Sequence, residues 1–196
     1  MTITSWHNQV ILGSLLGSGY LVRGIIREGV EPRYYMGISE SHDINWFNYK
    51  AGELSGLAAK TPIVESRGVM KWRSKSGGML APYVSQFYKQ DWTKFVDMST
   101  LDVLKDTALS VWFCDKGFWY TNRRVGLRTS AFRGSNAVIH SYFNEVGIAC
   151  DLRKDTNGAQ RIIFTQFGTE RLIATLAHRL PDFMHYRLHP DGNVDS

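Results

Sequence analysis

The chain reads as a sequence written twice. Gly19, which closes an apolar small-residue segment, is answered by Gly117 98 positions later, Trp72 by Phe164 92 later, and Lys94 by Arg187 93 later. An offset held so nearly constant marks an internal duplication with slightly different loop lengths. Whatever one half folds into, the other must therefore repeat. Periodicity in the first half predicts a helix over 9–17, strands over 20–26 and 33–38, a helix over 43–58, a hairpin of 63–65 and 69–75, and a helix over 79–88. The second half repeats this order: a helix over 104–115, strands over 118–120 and 125–130, a helix over 136–146, strands over 148–153 and 160–166, and a helix over 169–179. Each half is then αββαββα, and the class is α+β. The halves are expected at 1–91 and 104–196, joined by a polar linker over 92–103. Of the 196 residues, 43% are hydrophobic and 13% aromatic, enough for one large core or two small ones sharing an interface. Neither half has an evident core of its own, so one pseudo-symmetric domain is expected. Gly13 and Gly17, four apart, predict a helix packed very closely on a neighbour.

Charge is distributed more informatively than its sum of +5. Between Glu65 and Asp91 there is no acid, but there are Arg67, Lys71, Arg73, Lys75 and Lys89; between Asp115 and Glu145 the same holds, with Lys116, Arg123, Arg124, Arg128 and Arg133. Two acid-free basic blocks in separate parts of the chain suit two patches facing a phosphate backbone, and a pair of solvated basic faces would read the same way. Alternation along a strand places Lys71, Arg73 and Lys75 on one face, with Met70 and Trp72 on the other. By the same counting Arg23 and Arg27 share a face, and Arg128 is in phase with Ser130.

Several chemistries are not indicated. The two cysteines, Cys114 and Cys150, lie far apart within apolar patterns, with neither a disulfide framework nor a CxxC knuckle, as expected for a reducing, intracellular setting. The N-terminal residues lack a secretory pattern and no apolar run is long enough for a membrane span, so a soluble protein is expected. His42, His140, His178, His185 and His189 show no metal-ligand spacing, and Gly17-Ser18-Gly19 lacks the lysine and hydroxyl of a phosphate loop.

Four segments carry a family resemblance, in order around the duplication. Ile11-Leu-Gly-Ser-Leu-Leu-Gly-Ser-Gly19 resembles a first LAGLIDADG helix, and Leu109-Ser-Val-Trp-Phe-Cys-Asp-Lys-Gly117 is similar to the family's second motif. Thr93-Lys94-Phe-Val resembles the linker segment that brings a basic residue to the active centre, and His185-Tyr-Arg-Leu-His-Pro190 the family's closing segment. The resemblance covers nearly the whole chain. It implies two LAGLIDADG repeats in one monomer, a central pair of motif helices, and saddle-shaped antiparallel sheets that grip double-stranded DNA. The sheet residues placed for DNA are then Arg23, Arg27, Lys71, Arg73, Lys75, Arg123, Arg124, Arg128, Arg153 and Arg161.

The resemblance also implies where chemistry would sit. Family nucleases carry a carboxylate just before the last glycine of each motif, and the two acids hold divalent ions such as Mg2+ that activate water. Here those positions are Ser18, a weak neutral ligand, and Lys116, a cation that repels magnesium. Asp115, one residue earlier, is turned about 100 degrees around the helix and is the remaining candidate ligand. Lys94 and Arg187 match the family's basic positions near the scissile phosphate, and with Lys116 they form a metal-free positive cluster. The expectation is specific DNA binding with cleavage lost. An active metal-dependent endonuclease, a maturase that contacts structured RNA, and a DNA-binding regulator are the alternatives.

Overall fold

The computed structural model describes residues 3–24, 29, 31–121, 123–132, 134–154 and 158–190. Helix α1, Ser5–Leu16, starts earlier than expected because Thr4 caps it: the Thr4 hydroxyl accepts the His7 amide at 3.2 Å, and the His7 side chain answers the Thr4 amide. Strands β1 (Tyr20–Arg23) and β2 (Tyr34–Glu40) follow, then α2 (Ile44–Glu53), capped by the Asp43 carboxylate on the Trp46 amide at 2.8 Å. A 3-10 turn at Ser55–Leu57 ends that helix before residue 58, so β3 (Ala58–Ser66) is much longer than the three residues expected. β4 (Val69–Ser74) and α3 (Ala81–Phe87) complete the first half.

The linker is not merely polar. It contains α4, Met98–Leu101, capped by Asp97; Val96, Thr100 and Leu101 are buried, and the Val96 amide donates to the Ser135 hydroxyl at 3.0 Å. The second half runs α5 (Asp106–Lys116), β5 (Gly117–Thr121), β6 (Arg124–Arg128), α6 (Asn136–Glu145), β7 (Cys150–Lys154), β8 (Gln160–Phe164) and α7 (Gln166–Ala177), then a 3-10 helix at Asp182–Leu188.

Two four-stranded antiparallel sheets result, ordered β1-β2-β4-β3 and β5-β6-β8-β7. The pairs Tyr20–Gly37 and Gly37–Arg73 answer Phe118–Gly126 and Gly126–Ile163. By ladder position Trp72 therefore corresponds to Ile162, two residues before Phe164, and both point inward.

Helices α1 and α5 form the centre. Gln9 to Leu16 and Ala108 to Cys114 are buried around the whole circumference, as only a central pair requires. The helices touch backbone to backbone at Gly13, where a Cβ would lie 2.4 Å from the Ala108 carbonyl oxygen; just past the end of α1, a Cβ on Gly17 would meet the Asp115 carboxylate at 2.3 Å. At the far end the buried Gln9 amide donates to the Val103 carbonyl at 3.0 Å and accepts the Lys105 amide at 2.7 Å. The 3-10 helix at Asp182–Leu188 also returns to the first half, where the Tyr186 hydroxyl donates to Asp43 at 2.6 Å. Among the described residues, no helix is long and apolar enough to cross a membrane.

Candidate nucleic-acid interface and motif centre

The sheets place most of the expected cations on one face each. In β4, Lys71 and Arg73 are exposed while Trp72 and Ser74 are buried. Lys71 stands opposite Ser39 and Val64, and Arg73 opposite Gly37, with its guanidinium 5.4 Å from the Tyr35 ring centre. Lys75, also exposed, follows the strand's end.

The second sheet is richer in charge. Arg128 pairs with Arg161, and Arg161 with Arg153, so three arginines stand side by side across β6, β8 and β7. The Arg128 and Arg161 guanidiniums lie 4.9 and 5.2 Å from the Phe118 ring centre, and that of Arg153 lies 5.9 Å from Tyr120. Like charges placed directly opposite destabilise a sheet, whereas flat aromatic faces beneath them hold guanidiniums in place.

Three expected DNA-facing residues stand differently. Arg23 pairs with Tyr34 and falls in the inward alternation of Leu21 and Met36, so it is exposed at the end of β1 but does not share the Lys71 face. Arg124 turns to its own fold: Nε donates to the Phe164 carbonyl at 2.7 Å and a terminal nitrogen to Asp151 at 2.8 Å. Arg123 is exposed in the turn after β5. Arg27, with Arg133, lies outside the described residues.

The feet of the motif helices bring together Ser18, Asp115 and Lys94. Lys94 reaches in from the linker and donates to the Gly19 carbonyl at 2.9 Å, over the Phe132 ring at 5.2 Å. Burial first, and the charge of Lys116 second, pull its ammonium down to about 8, against the opposing effect of Asp115. Arg187 sits near enough to act on the Cys114 thiol, and its carbonyl accepts the Trp119 indole at 3.1 Å.

Asp115 does not present itself to solvent or to an ion. Its side chain is wholly buried and its two oxygens accept four bonds: from the Ser18 amide at 2.9 Å, the Ser18 hydroxyl at 2.8 Å, the Trp46 indole at 2.6 Å and the Lys50 ammonium at 2.5 Å. Burial raises its pKa, but the Lys50 charge and the bonds from Lys50, Trp46 and Ser18 outweigh that and hold it below the ordinary value. Lys50 and Trp46 were not among the expected site residues. Trp46 and Lys50, four apart, lie on the same side of α2 as buried Phe47 and Ala51, but that spacing gives no sign of the distant carboxylate that holds them.

Residues 8–172 match the sequence profile of the LAGLIDADG DNA endonuclease family. The chain belongs to that family. No curated protein matches it. Among solved LAGLIDADG-fold structures it is similar to the homing endonuclease I-WcaI bound to its DNA recognition sequence, with a TM-score of 0.81 at 13% identity, covering 96% of this chain and 88% of that one. It also resembles I-DmoI in complex with DNA and Mn (TM-score 0.52, 16% identity, 86% and 94% covered) and the meganuclease I-SmaMI bound to uncleaveable DNA (0.55, 8%, 96% and 95%). At these identities the likeness establishes the LAGLIDADG fold.

Manganese beside DNA in one such relative raises the question of a metal here, and the residues present do not fit one. A divalent ion at the helix feet needs available oxygens of net negative charge. The Ser18 hydroxyl is spent as a donor, the Asp115 oxygens are fully engaged, and Lys116 and Lys94 add positive charge. The neighbouring Cys114 side chain is buried in the core, and burial pushes its thiol well up from the ordinary value. Among the described residues no group of three or more His, Cys, Asp or Glu is placed to hold an ion.

Proposed function

We propose that this chain is a sequence-specific double-stranded DNA-binding protein on a LAGLIDADG endonuclease scaffold, with metal-dependent cleavage lost. The observation that carries the second part is the engagement of Asp115, the carboxylate at the foot of the second motif helix, by four internal donors. In this reading Ser18 and Lys116 stand where family nucleases keep their acids. Binding is supported by the cationic sheet faces and by relatives of the same fold described in complex with DNA. Those relatives favour a duplex over a structured RNA.

Each half, 1–91 and 104–196, would read one half of a long, imperfectly symmetric site, with 92–103 joining them in a single pseudo-symmetric monomer. Lys94, Arg187 and Lys116 would neutralise the central phosphates without an ion. Arg128, Arg161, Arg153, Lys71 and Arg73 would meet phosphates or base edges in the major groove.

The test is selection from a random duplex library at moderate salt, followed by incubation of the recovered sites with protein and Mg2+ or Mn2+. A long recovered site that stays intact is expected. Specific strand cutting by pure protein would overturn the loss of activity, and recovery of no site would overturn duplex binding.

A further inference from the structure

Lys50 lies outside both motifs, on a helix that has exposed positions at Asn45, Asn48 and Gly52, yet its side chain is shielded completely. Burying an ammonium is costly unless its charge and its hydrogen bonds are matched. Here they are matched by groups from two other elements. Nζ donates to Asp115 Oδ1 at the foot of α5 at 2.5 Å and to the Ser18 hydroxyl just beyond α1 at 3.0 Å. The other Asp115 oxygen takes the Ser18 amide and hydroxyl, and Trp46, one turn before Lys50, donates to the same oxygen as the ammonium. A ring of bonds thus links α1, α2 and α5 through a single positive charge.

We propose that the Lys50 ammonium is the resident counter-cation of the motif centre, a positioning residue that ties the feet of the two motif helices together and thereby fixes the spacing at which the two sheets meet a duplex. It is a built-in cation, present at every ionic condition, whose removal opens a small cation site. The spacing half of the proposal rests on the DNA-binding reading; the counter-cation half does not.

Four variants test it: Lys50→Ala, Asp115→Asn, Lys50→Ala combined with Asp115→Asn, and the neutral pair Lys50→Met with Asp115→Asn. Thermal unfolding is followed with and without ethylammonium chloride, using sodium chloride at equal ionic strength as the control. Lys50→Ala is expected to lower the midpoint by on the order of 10 °C, as for breaking a buried pair in a domain of this size. Ethylammonium should recover a large part of that loss in Lys50→Ala, and none in wild type or in Lys50→Ala combined with Asp115→Asn. The neutral pair should be more stable than Asp115→Asn alone. Additive losses in the double variants, with no response to ethylammonium, overturn the counter-cation.

Should Lys50→Ala not fold, the comparison of Asp115→Asn with the neutral pair decides the same point. For spacing, duplex sites with one base pair inserted or deleted at the centre are compared. Wild type is expected to reject them, and the neutral pair to lose much of that discrimination. Equal discrimination by both proteins overturns the positioning role. Failure of wild type to bind any duplex overturns the DNA-binding reading and the spacing role together, while the thermal result stands by itself.

Discussion

Asp115 and Lys50, 65 residues apart, meet at 2.5 Å with both side chains closed off from solvent. The Asp115 carboxyl is held below its ordinary value of 3.8, because Lys50 and the hydrogen-bond donors outweigh burial. The sign follows from linkage. A depressed carboxyl contributes stability that is fully present above its unfolded value and is lost as pH falls through the folded one. Urea unfolding between pH 2 and 7 should therefore show an acid-sensitive component, beginning below about pH 4, that Asp115→Asn lacks. An unchanged acid limb in that variant would contradict the ion pair.

Lys94 titrates in the opposite regime. Its ammonium is pulled down to about 8 by burial and by Lys116, so the charge that the proposed function has it offer to a central phosphate would fade as pH rises through that value. Duplex affinity at fixed ionic strength should fall between pH 7 and 9. Lys116→Gln, which removes the repelling charge, should move that fall to higher pH, and Lys94→Met should abolish it. A pH-independent wild type would remove Lys94 from the interface.

Arg128 and Arg124 lie on the same strand and are predicted to separate cleanly. Replacing Arg128, Arg161 or Lys71 by alanine should weaken duplex binding and reduce the salt slope by about 1 for each phosphate that is no longer neutralised. Arg124→Ala should instead cost stability, because it removes the bonds that Arg124 gives to the Phe164 carbonyl and to Asp151. Fluorescence titrations over a salt series, with thermal unfolding alongside, distinguish the two. Equal salt slopes in all four variants would sink the assignment.

Glycine makes a similar contrast within helices. Gly52 has nothing within 4 Å of a Cβ, so Gly52→Ala should stabilise by a few tenths to about 1 kcal/mol through helix propensity. Gly13→Ala would drive a methyl against the Ala108 carbonyl and should destabilise by about 1–3 kcal/mol despite the same propensity gain. Denaturant midpoints measure both.

Much of this architecture was legible because it is periodic or repeated. Gly13 and Gly17 announced the close helix pair, and the alternation Lys71-Trp72-Arg73 gave the faces of β4 correctly. Residues whose role depends on a distant partner were harder. Arg124 reads as one more cation of a basic block until Asp151 is seen beside it, and the linker reads as polar until Val96 is found bonded to Ser135. Phase errors had a local cause: Arg23 falls in the inward alternation of β1, and its exposure comes from lying at the strand's end. Lys50 was the least accessible, since a lysine in an amphipathic helix ordinarily faces water and only a carboxylate 65 residues away explains its burial.

The close approach of Gly13 to the Ala108 carbonyl has a mechanical meaning. Where helices meet through long side chains, rotamer changes can absorb a few degrees of tilt; here backbone lies on backbone, and the joint has almost no travel. If the chain binds a duplex across both sheets as proposed, the duplex would have to conform to the protein instead of the reverse. Stiffness of the central base steps would enter recognition as a selection of its own, acting on positions that no side chain touches.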